Sequence, residues 1–134
     1  MPNPKVSMQY GSGNYTAQNI SINGGGGGGI TVTLVWTNPS PSSNYSAGTE
    51  AMDLSGYDGV LIVTRQAGNT DRVAWDFALV GETTVTRVKN ATSGTIYGRS
   101  AEVTSSGITF GQGYAGGTAG ATNAIPVSVY GVNF

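Results

Sequence analysis

The chain has 134 residues, the length of one domain, and carries 22 glycines but only 10% charged residues. Six basic and seven acidic residues leave a formal net charge of −1, which gives no electrostatic steering towards nucleic acid or an anionic membrane surface. The absence of histidine and cysteine excludes Ser-His-Asp and Cys-His nucleophiles, disulfides and the usual transition-metal sites. We therefore predict no nucleic-acid partner and, without an apolar run of about 18 residues, no membrane insertion.

Residues 1–23 are predicted to form an N-terminal anchoring arm. Side chains alternate from Tyr15 to Ile22 as in one short strand, which needs a neighbouring strand from its own domain or from another protein. Consecutive glycines follow at 24–29, and we interpret them as a flexible linker because glycine has no side chain to pack. The alternative interpretation is close backbone packing against identical chains in an oligomer.

The remainder, residues 30–134, is predicted to fold as a single antiparallel β-sandwich of the all-β class. Strands are predicted at 30–36, 49–54, 60–63, 72–80, 83–89, 95–103, 108–110 and 125–132. Their short length and the turn residues between them are typical of an antiparallel sandwich or barrel. Of these we predict the sandwich, with a jelly-roll-like or immunoglobulin-like topology, which the pattern does not distinguish. Trp36 and Trp75 alternate in phase with the apolar residues of their strands, so we predict both in the core. The glycine-rich segment 111–122 is predicted to be a long loop.

Carboxylates are the remaining groups with catalytic potential. A glycosidase needs two acids that face each other across a groove, and Asp76, between Trp75 and Phe77 in a predicted strand, is one candidate. The ordinary interpretation, which we prefer, is a solvent-facing strand residue. Asp53 and Asp58 flank a turn and offer oxygen ligands for calcium, but capping of the turn is the better interpretation because the D-x-D-x-D pattern is missing. We predict no catalytic residue, no metal site and no cofactor.

Three tyrosines are the predicted ligand-binding residues. Tyr45, Tyr57 and Tyr114 lie in or beside predicted turns, where their flat amphipathic rings are available to sugar rings or protein surfaces. The alternative is that each is a single exposed tyrosine without function, which is common on protein surfaces.

Three segments of the predicted domain read LVWTNPSPSS at 34–43, MDLSGYDGVLI at 52–62 and IPVSVYGV at 125–132. Together they resemble a C-terminal β-domain that recurs in small virion proteins of tailed bacteriophages, notably those that infect Gram-positive bacteria. The resemblance implies a β-sandwich knob, often trimeric, on a fibre or capsid appendage, and it carries no catalytic motif. The arm ahead of the knob is brief, which leaves a head fibre, a decoration protein or a small tail-tip protein as the expected types.

We therefore expect a non-enzymatic virion structural protein at the virion surface. Residues 1–23 would attach it to a capsid or tail protein, and a homotrimeric β-sandwich knob would contact the host. One alternative is a carbohydrate-binding module, or receptor-binding protein, that recognises a cell-surface glycan. A small glycosidase is the least favoured alternative, because 134 residues leave little room for a walled cleft.

Overall fold

The computed structural model of the protein describes residues 20–24, 28–66, 69–90, 92–121 and 123–134. These ranges contain ten β-strands: β1 Ile20–Gly24, β2 Gly28–Thr37, β3 Gly48–Ala51, β4 Gly59–Gln66, β5 Asn69–Leu79, β6 Thr83–Lys89, β7 Ile96–Thr104, β8 Gly107–Ala115, β9 Thr118–Ala121 and β10 Ile125–Asn133. Within the same ranges there is no helix, and hence none long and apolar enough to cross a membrane.

The strands form two antiparallel sheets that pack face to face, which confirms the predicted all-β sandwich. The first sheet has the order β1-β2-β10-β4-β5, and the second has the order β3-β8-β7-β6 with β9 paired to β8. The last strand, β10, lies at the centre of the first sheet, whereas the last strand of the seven-strand immunoglobulin order lies at an edge.

The glycine run predicted as a linker lies partly within a hairpin. Strand β1 pairs with β2, with Asn23 opposite Gly29 and Gly24 opposite Gly28. The end of the arm thus finds its partner strand in its own domain. Residues 1–19 and 25–27 lie outside the described residues, so the division into arm (1–23), linker (24–29) and knob (30–134) stays a prediction.

The main core lies between the two sheets. Its buried residues come from both sheets and from the connection that follows β3: Met52, Leu54, Val60, Ile62, Ala78, Ala101, Val103, Ile108, Phe110 and Val129. Within each strand these residues are two positions apart, because alternate side chains of a strand project to the same face.

A β-bulge decides which face Trp36 occupies. Trp36 pairs with Val129 but Leu34 pairs with Tyr130, so Val35 has no partner on β10 and the alternation shifts by one residue. Trp36 therefore packs against the core between the sheets, while Leu34 packs on the opposite side of the first sheet. The expectation that Trp36 shares a face with its apolar neighbours was wrong at this point, because simple alternation assumes an unbroken strand.

The first sheet has a second apolar cluster on its outer face. It consists of Val32, Val63, Val127, Tyr130 and Val132, with Leu34, Leu61, Val73 and Trp75 packed against them. Trp75 lies with its ring centroid 5.5 Å from that of Tyr130, so this tryptophan belongs to the outer cluster and not to the core between the sheets. A sheet that is apolar on both faces accounts for the continuous apolar run of β4.

The segments that carry the bacteriophage resemblance contact one another. The side-chain amide of Asn38 donates to the carbonyl of Pro126 at 2.7 Å, and its backbone N–H donates to the carbonyl of Val127 at 2.8 Å. The ring of Tyr57 lies over Gly131, where an added Cβ would stand 2.5 Å from its Cδ1. In this chain these residues contact β10, so their role is structural.

The glycine-rich segment predicted to be a long loop is a β-hairpin. Its first five residues continue β8 and residues 118–121 form β9, with Gly116 and Gly117 between them at φ values of 57° and 89°. Positive φ at two successive turn residues is the requirement of a type I′ hairpin turn, which glycine meets without a Cβ clash. Composition favoured a loop because glycine is depleted in strands, but pairing with β7 and β9 overrides that preference.

Candidate functional site

An open groove lies on the outer face of the second sheet, near the tips of two hairpins. Its volume of about 460 Å³ is within the range of about 300–1,000 Å³ typical of ligand sites. The lining residues are Val85, Arg87, Gly94, Thr95, Ile96, Gly98, Tyr114, Gly116 and Gly117. Apolar, aromatic and basic side chains therefore converge on a surface with several bare glycines.

Strand register brings the central groove residues into one row. Gly98 on β7 pairs with Arg87 on β6 and with Tyr114 on β8. Directly paired residues project to the same face, so the arginine and the tyrosine stand on either side of the glycine. Tyr114 is 43% exposed, and Val85 and Ile96 are 41% and 49% exposed.

Gly98 forms the floor of the groove. A Cβ at this position would stand 3.1 Å from the carbonyl oxygen of Thr86 and 3.6 Å from Cγ1 of Val85. A larger side chain would occupy the trough between Arg87 and Tyr114. The groove thus exists because the central position of the row carries no side chain.

Two turns form the rim of the groove. In the β6–β7 turn, the side-chain oxygen of Asn90 accepts the backbone N–H groups of Thr92 at 2.9 Å and Ser93 at 3.0 Å, which orders the turn as Asx motifs do. In the β8–β9 turn, the N–H of Gly116 donates to the carbonyl of Ile96 at 3.0 Å. The two hairpin tips are therefore tied together beside Tyr114.

Arg99 on β7 points to the interior of the sandwich and is fully buried. Its guanidinium donates to the carbonyls of Ala124 at 3.0 Å, Tyr45 and Asn123 at 2.9 Å each, and Gly111. Burial lowers the pKa of Arg99, and the neighbouring Tyr45 partly offsets this effect, but arginine stays protonated in proteins. A positive charge is thus held inside the sandwich by backbone carbonyls, with no carboxylate among its acceptors in the described residues.

Exposed charges are separated along the strands of the second sheet. Among the basic side chains whose exposure the structure describes, Arg87 and Lys89 are exposed, and both lie at the groove end of β6. Four exposed acids lie at or beside the turns of the opposite end: Asp53, Asp58, Glu82 and Glu102. Strand β6 has seven residues, so at about 3.3 Å per residue the two ends are about 20 Å apart.

Of the three tyrosines predicted to bind a ligand, the structure places one in the groove, Tyr114. Tyr45 is half-buried, with its hydroxyl donating to Glu50 at 2.6 Å and its ring edge-on to Phe110 at a centroid distance of 5.8 Å. Burial, and then the hydrogen bond to Glu50, raise the pKa of Tyr45 well above its ordinary value. Tyr57 packs against the main core and over Gly131. The three rings do not form a common surface.

The aspartates singled out in the sequence have structural partners. Asp53 accepts the hydroxyl of Ser55 at 2.6 Å and its backbone N–H at 3.0 Å, which lowers the pKa of Asp53 and gives it the turn-capping role. Asp58 accepts a hydrogen bond from the backbone N–H of Phe134 at 2.9 Å. Asp76 accepts the backbone N–H of Arg87 at 3.1 Å, and partial burial raises its pKa. Within the described ranges, no three His, Cys, Asp or Glu side chains are grouped so as to hold a metal ion.

Sequence reasoning did not identify Val85, Arg87, Ile96 and Gly98 as partners of Tyr114. The four residues come from two strands, and the register between those strands with β8 brings them together. The available signal was the alternation within β6, where residues 83, 85, 87 and 89 share the exposed face.

No family model matches the chain, and no curated protein and no solved structure matches it either.

Proposed function

We propose that the chain is a non-enzymatic structural protein of a bacteriophage virion, an appendage or decoration knob at the virion surface. Residues 1–23 attach it to a capsid or tail protein, and the knob is a homotrimer that contacts the host. Support comes from the resemblance of three segments and, above all, from one observation: the first sheet exposes large apolar side chains on its outer face.

We call this exposed area the phenylalanine patch, formed by Phe77, Leu79 and Phe134. The three side chains are 47%, 38% and 68% exposed. The ring centroids of Phe77 and Phe134 are 6.4 Å apart. Leu79 pairs with Gly59, over which the ring of Phe77 lies. The patch is therefore contiguous and adjoins the buried outer cluster of the same sheet.

Contact between this patch and water is unfavourable for an isolated chain. Full burial of a Phe or Leu side chain contributes about 1.5–3 kcal/mol, so covering the exposed fractions would contribute about 2–5 kcal/mol per protomer. Other copies of the same chain are the simplest partners for the phenylalanine patch, because a symmetric interface between identical protomers buries the patch of each of them. Small domains without disulfides also often gain stability by oligomerising.

The test is the mass in solution of the full chain and of a Phe77→Ser, Leu79→Thr variant, measured by size exclusion with light scattering. We expect three times the chain mass of 13.6 kDa for the unchanged chain and a shift to monomer for the variant. The matched control is Val85→Thr, Ile96→Thr, which makes two exposed apolar residues of the other sheet polar. An unchanged chain with the mass of a monomer or a dimer, or a patch variant that keeps the mass of the unchanged chain, would contradict the proposal.

A second candidate function is carbohydrate binding at the groove, as in a receptor-binding protein. The observation that favours it is the exposed ring of Tyr114 beside apolar Val85 and Ile96, since an aromatic face with apolar surroundings suits the C–H face of a sugar ring. Glycan binding should be lost in Tyr114→Ala and kept in Thr109→Ala, an exposed residue of β8 outside the groove. Equal binding by both variants would contradict this candidate.

A further inference from the structure

We infer that the groove takes an anionic glycan, with a sugar ring on Tyr114 and an acidic substituent of the sugar at Arg87. This inference rests on the second candidate function, carbohydrate binding, and specifies the chemical class of its ligand. A carboxylate and a phosphate ester are the two acidic substituents that the same site chemistry would accept.

The spacing within the groove fits one substituted sugar ring. Arg87, Gly98 and Tyr114 lie on three adjacent strands in register. Neighbouring strands are about 4.8 Å apart, so the arginine and tyrosine backbones are about 10 Å apart. A ring stacked on Tyr114 can therefore extend across bare Gly98 and present an anionic group to the guanidinium, which binds carboxylate and phosphate through paired N–H donors.

The local charge around the groove favours an anion although the whole chain does not. Arg87 and Lys89 are exposed, and both belong to this end of the sheet. Arg99, the residue after Gly98, holds a third positive charge in the interior, where it donates to backbone carbonyls and lies against the ring of Tyr45, whose hydroxyl donates to Glu50. Buried Arg65 donates likewise to backbone carbonyls and lies near the same end, because it pairs with Ile125.

Among the acids whose side chains the structure describes, Asp76 contacts Arg87, and the exposed ones lie towards the other end of the sheet. Among the exposed acids whose side chains the structure describes, Glu102 pairs with Thr83, four residues from Arg87 along β6. This is about 13 Å at about 3.3 Å per residue, beyond the screening length of about 8 Å at physiological ionic strength. Asp76 is the carboxylate in contact with a groove residue, but it faces the interior side of β5 and accepts the backbone N–H of Arg87. The charge of Arg87 also acts on Asp76 and partly offsets the rise in its pKa, but the hydrogen bond between the two residues uses the backbone N–H of Arg87 and not its guanidinium.

The composition of the groove favours a glycan over a nucleic acid. Single-stranded nucleic acids are held by several stacking aromatics along a basic track. The groove has one exposed aromatic ring and one bordering arginine, and its other side chains are apolar or small. That arrangement suits one ring with one or two charges.

The experiment begins with the unchanged chain on an array that carries uronate-, sialate- and phosphate-bearing glycans beside their uncharged counterparts. The best acidic glycan and its uncharged counterpart are then titrated calorimetrically at 50 mM and 150 mM salt. We expect the acidic form to bind at least about tenfold more tightly, with a smaller ratio at the higher salt concentration. Tyr114→Ala should abolish binding, and Arg87→Gln should reduce the ratio towards one.

Glu102→Gln is the matched control, since it removes an exposed charge from the same face at the other end of the sheet. It should leave both affinities unchanged. Equal affinity for charged and uncharged glycans, or full selectivity in Arg87→Gln, would overturn the inference but leave carbohydrate binding standing. Binding to no glycan of the array would overturn both. Tighter binding of an eight-residue oligothymidylate than of any glycan would also overturn the inference, in favour of nucleic acid.

Discussion

Replacement of Arg99 with methionine is the most informative perturbation of the fold, because one side chain joins three separate segments. The guanidinium holds the carbonyl of Tyr45 before β3, that of Gly111 in β8, and those of Asn123 and Ala124 before β10. Methionine has a similar length and no donor. The variant therefore removes the hydrogen bonds while it keeps most of the buried volume.

The expected loss follows from the environment of each acceptor. The bond to Ala124 is fully buried, and the other three are partly buried. A buried carbonyl left without a donor costs about 1–3 kcal/mol, and each partly hydrated bond contributes about 0.5–1.5 kcal/mol. Relief of the desolvation cost of the guanidinium opposes these losses. We expect a net decrease of about 3 kcal/mol in the free energy of unfolding.

Urea unfolding followed by tryptophan fluorescence measures this change. With a slope of about 2 kcal/mol per molar urea, the midpoint of Arg99→Met should fall by about 1.5 M. Arg99→Lys keeps the charge but not the planar fork of donors, so it should lose about half as much. Arg87→Met is the matched control, because Arg87 is exposed. If Arg99→Met unfolded at the same midpoint as Arg87→Met, the reasoning would be refuted: the carbonyl contacts would contribute no more than the desolvation of the charge costs.

Three further predictions concern single positions. Gly131→Ala should lower the free energy of unfolding by about 2 kcal/mol because its Cβ would collide with the ring of Tyr57. In a double-mutant cycle measured by urea unfolding, Tyr57→Ala should recover part of this loss. Strictly additive losses would contradict the contact between Gly131 and the Tyr57 ring. Gly117→Ala should cost about 1–2 kcal/mol because φ is 89°, whereas Gly56→Ala, which has open space and no positive φ, should leave the melting temperature nearly unchanged. In the folded state the pKa of Asp76 is raised from 3.8, and a carboxyl group with a raised pKa makes the folded state lose stability as pH increases through that window. Asp76→Asn should therefore become more stable relative to the unchanged chain as pH rises above about 4. Parallel curves of stability against pH for the two chains would show this interpretation to be wrong.

The strand class of nearly every element could be predicted from the sequence. The prediction for β6 had the observed bounds, Thr83–Lys89, and those for β5, β7 and β10 differed by a few residues at most. Alternation and turn residues are local properties, so they are visible without knowledge of the partner strands. The hairpin of β8 and β9 was missed because glycine weakens the local preference for strand, and only pairing with neighbours restores it.

The candidate site was predicted much less completely than the fold. Tyr114 was identified as a possible contact residue, but Tyr45 and Tyr57 were grouped with it although both pack against the core. A position near a turn predicts exposure only on average, whereas burial depends on the residue that lies opposite. For Tyr45 that residue is Phe110, and for Tyr57 it is Gly131.

By itself the sequence determined an all-β chain without histidine or cysteine chemistry, because composition and two-residue periodicity act over a few residues. Which face of each strand is interior was decided by the tertiary structure. The bulge at Val35 places Trp36 against the core between the sheets. The first sheet is apolar on both faces, and on its outer face Phe77 is exposed. Register also decided the groove, since it aligns Arg87 with Tyr114 across a glycine. Register and charge separation are relations between strands far apart in the chain, and a local pattern carries no information about them.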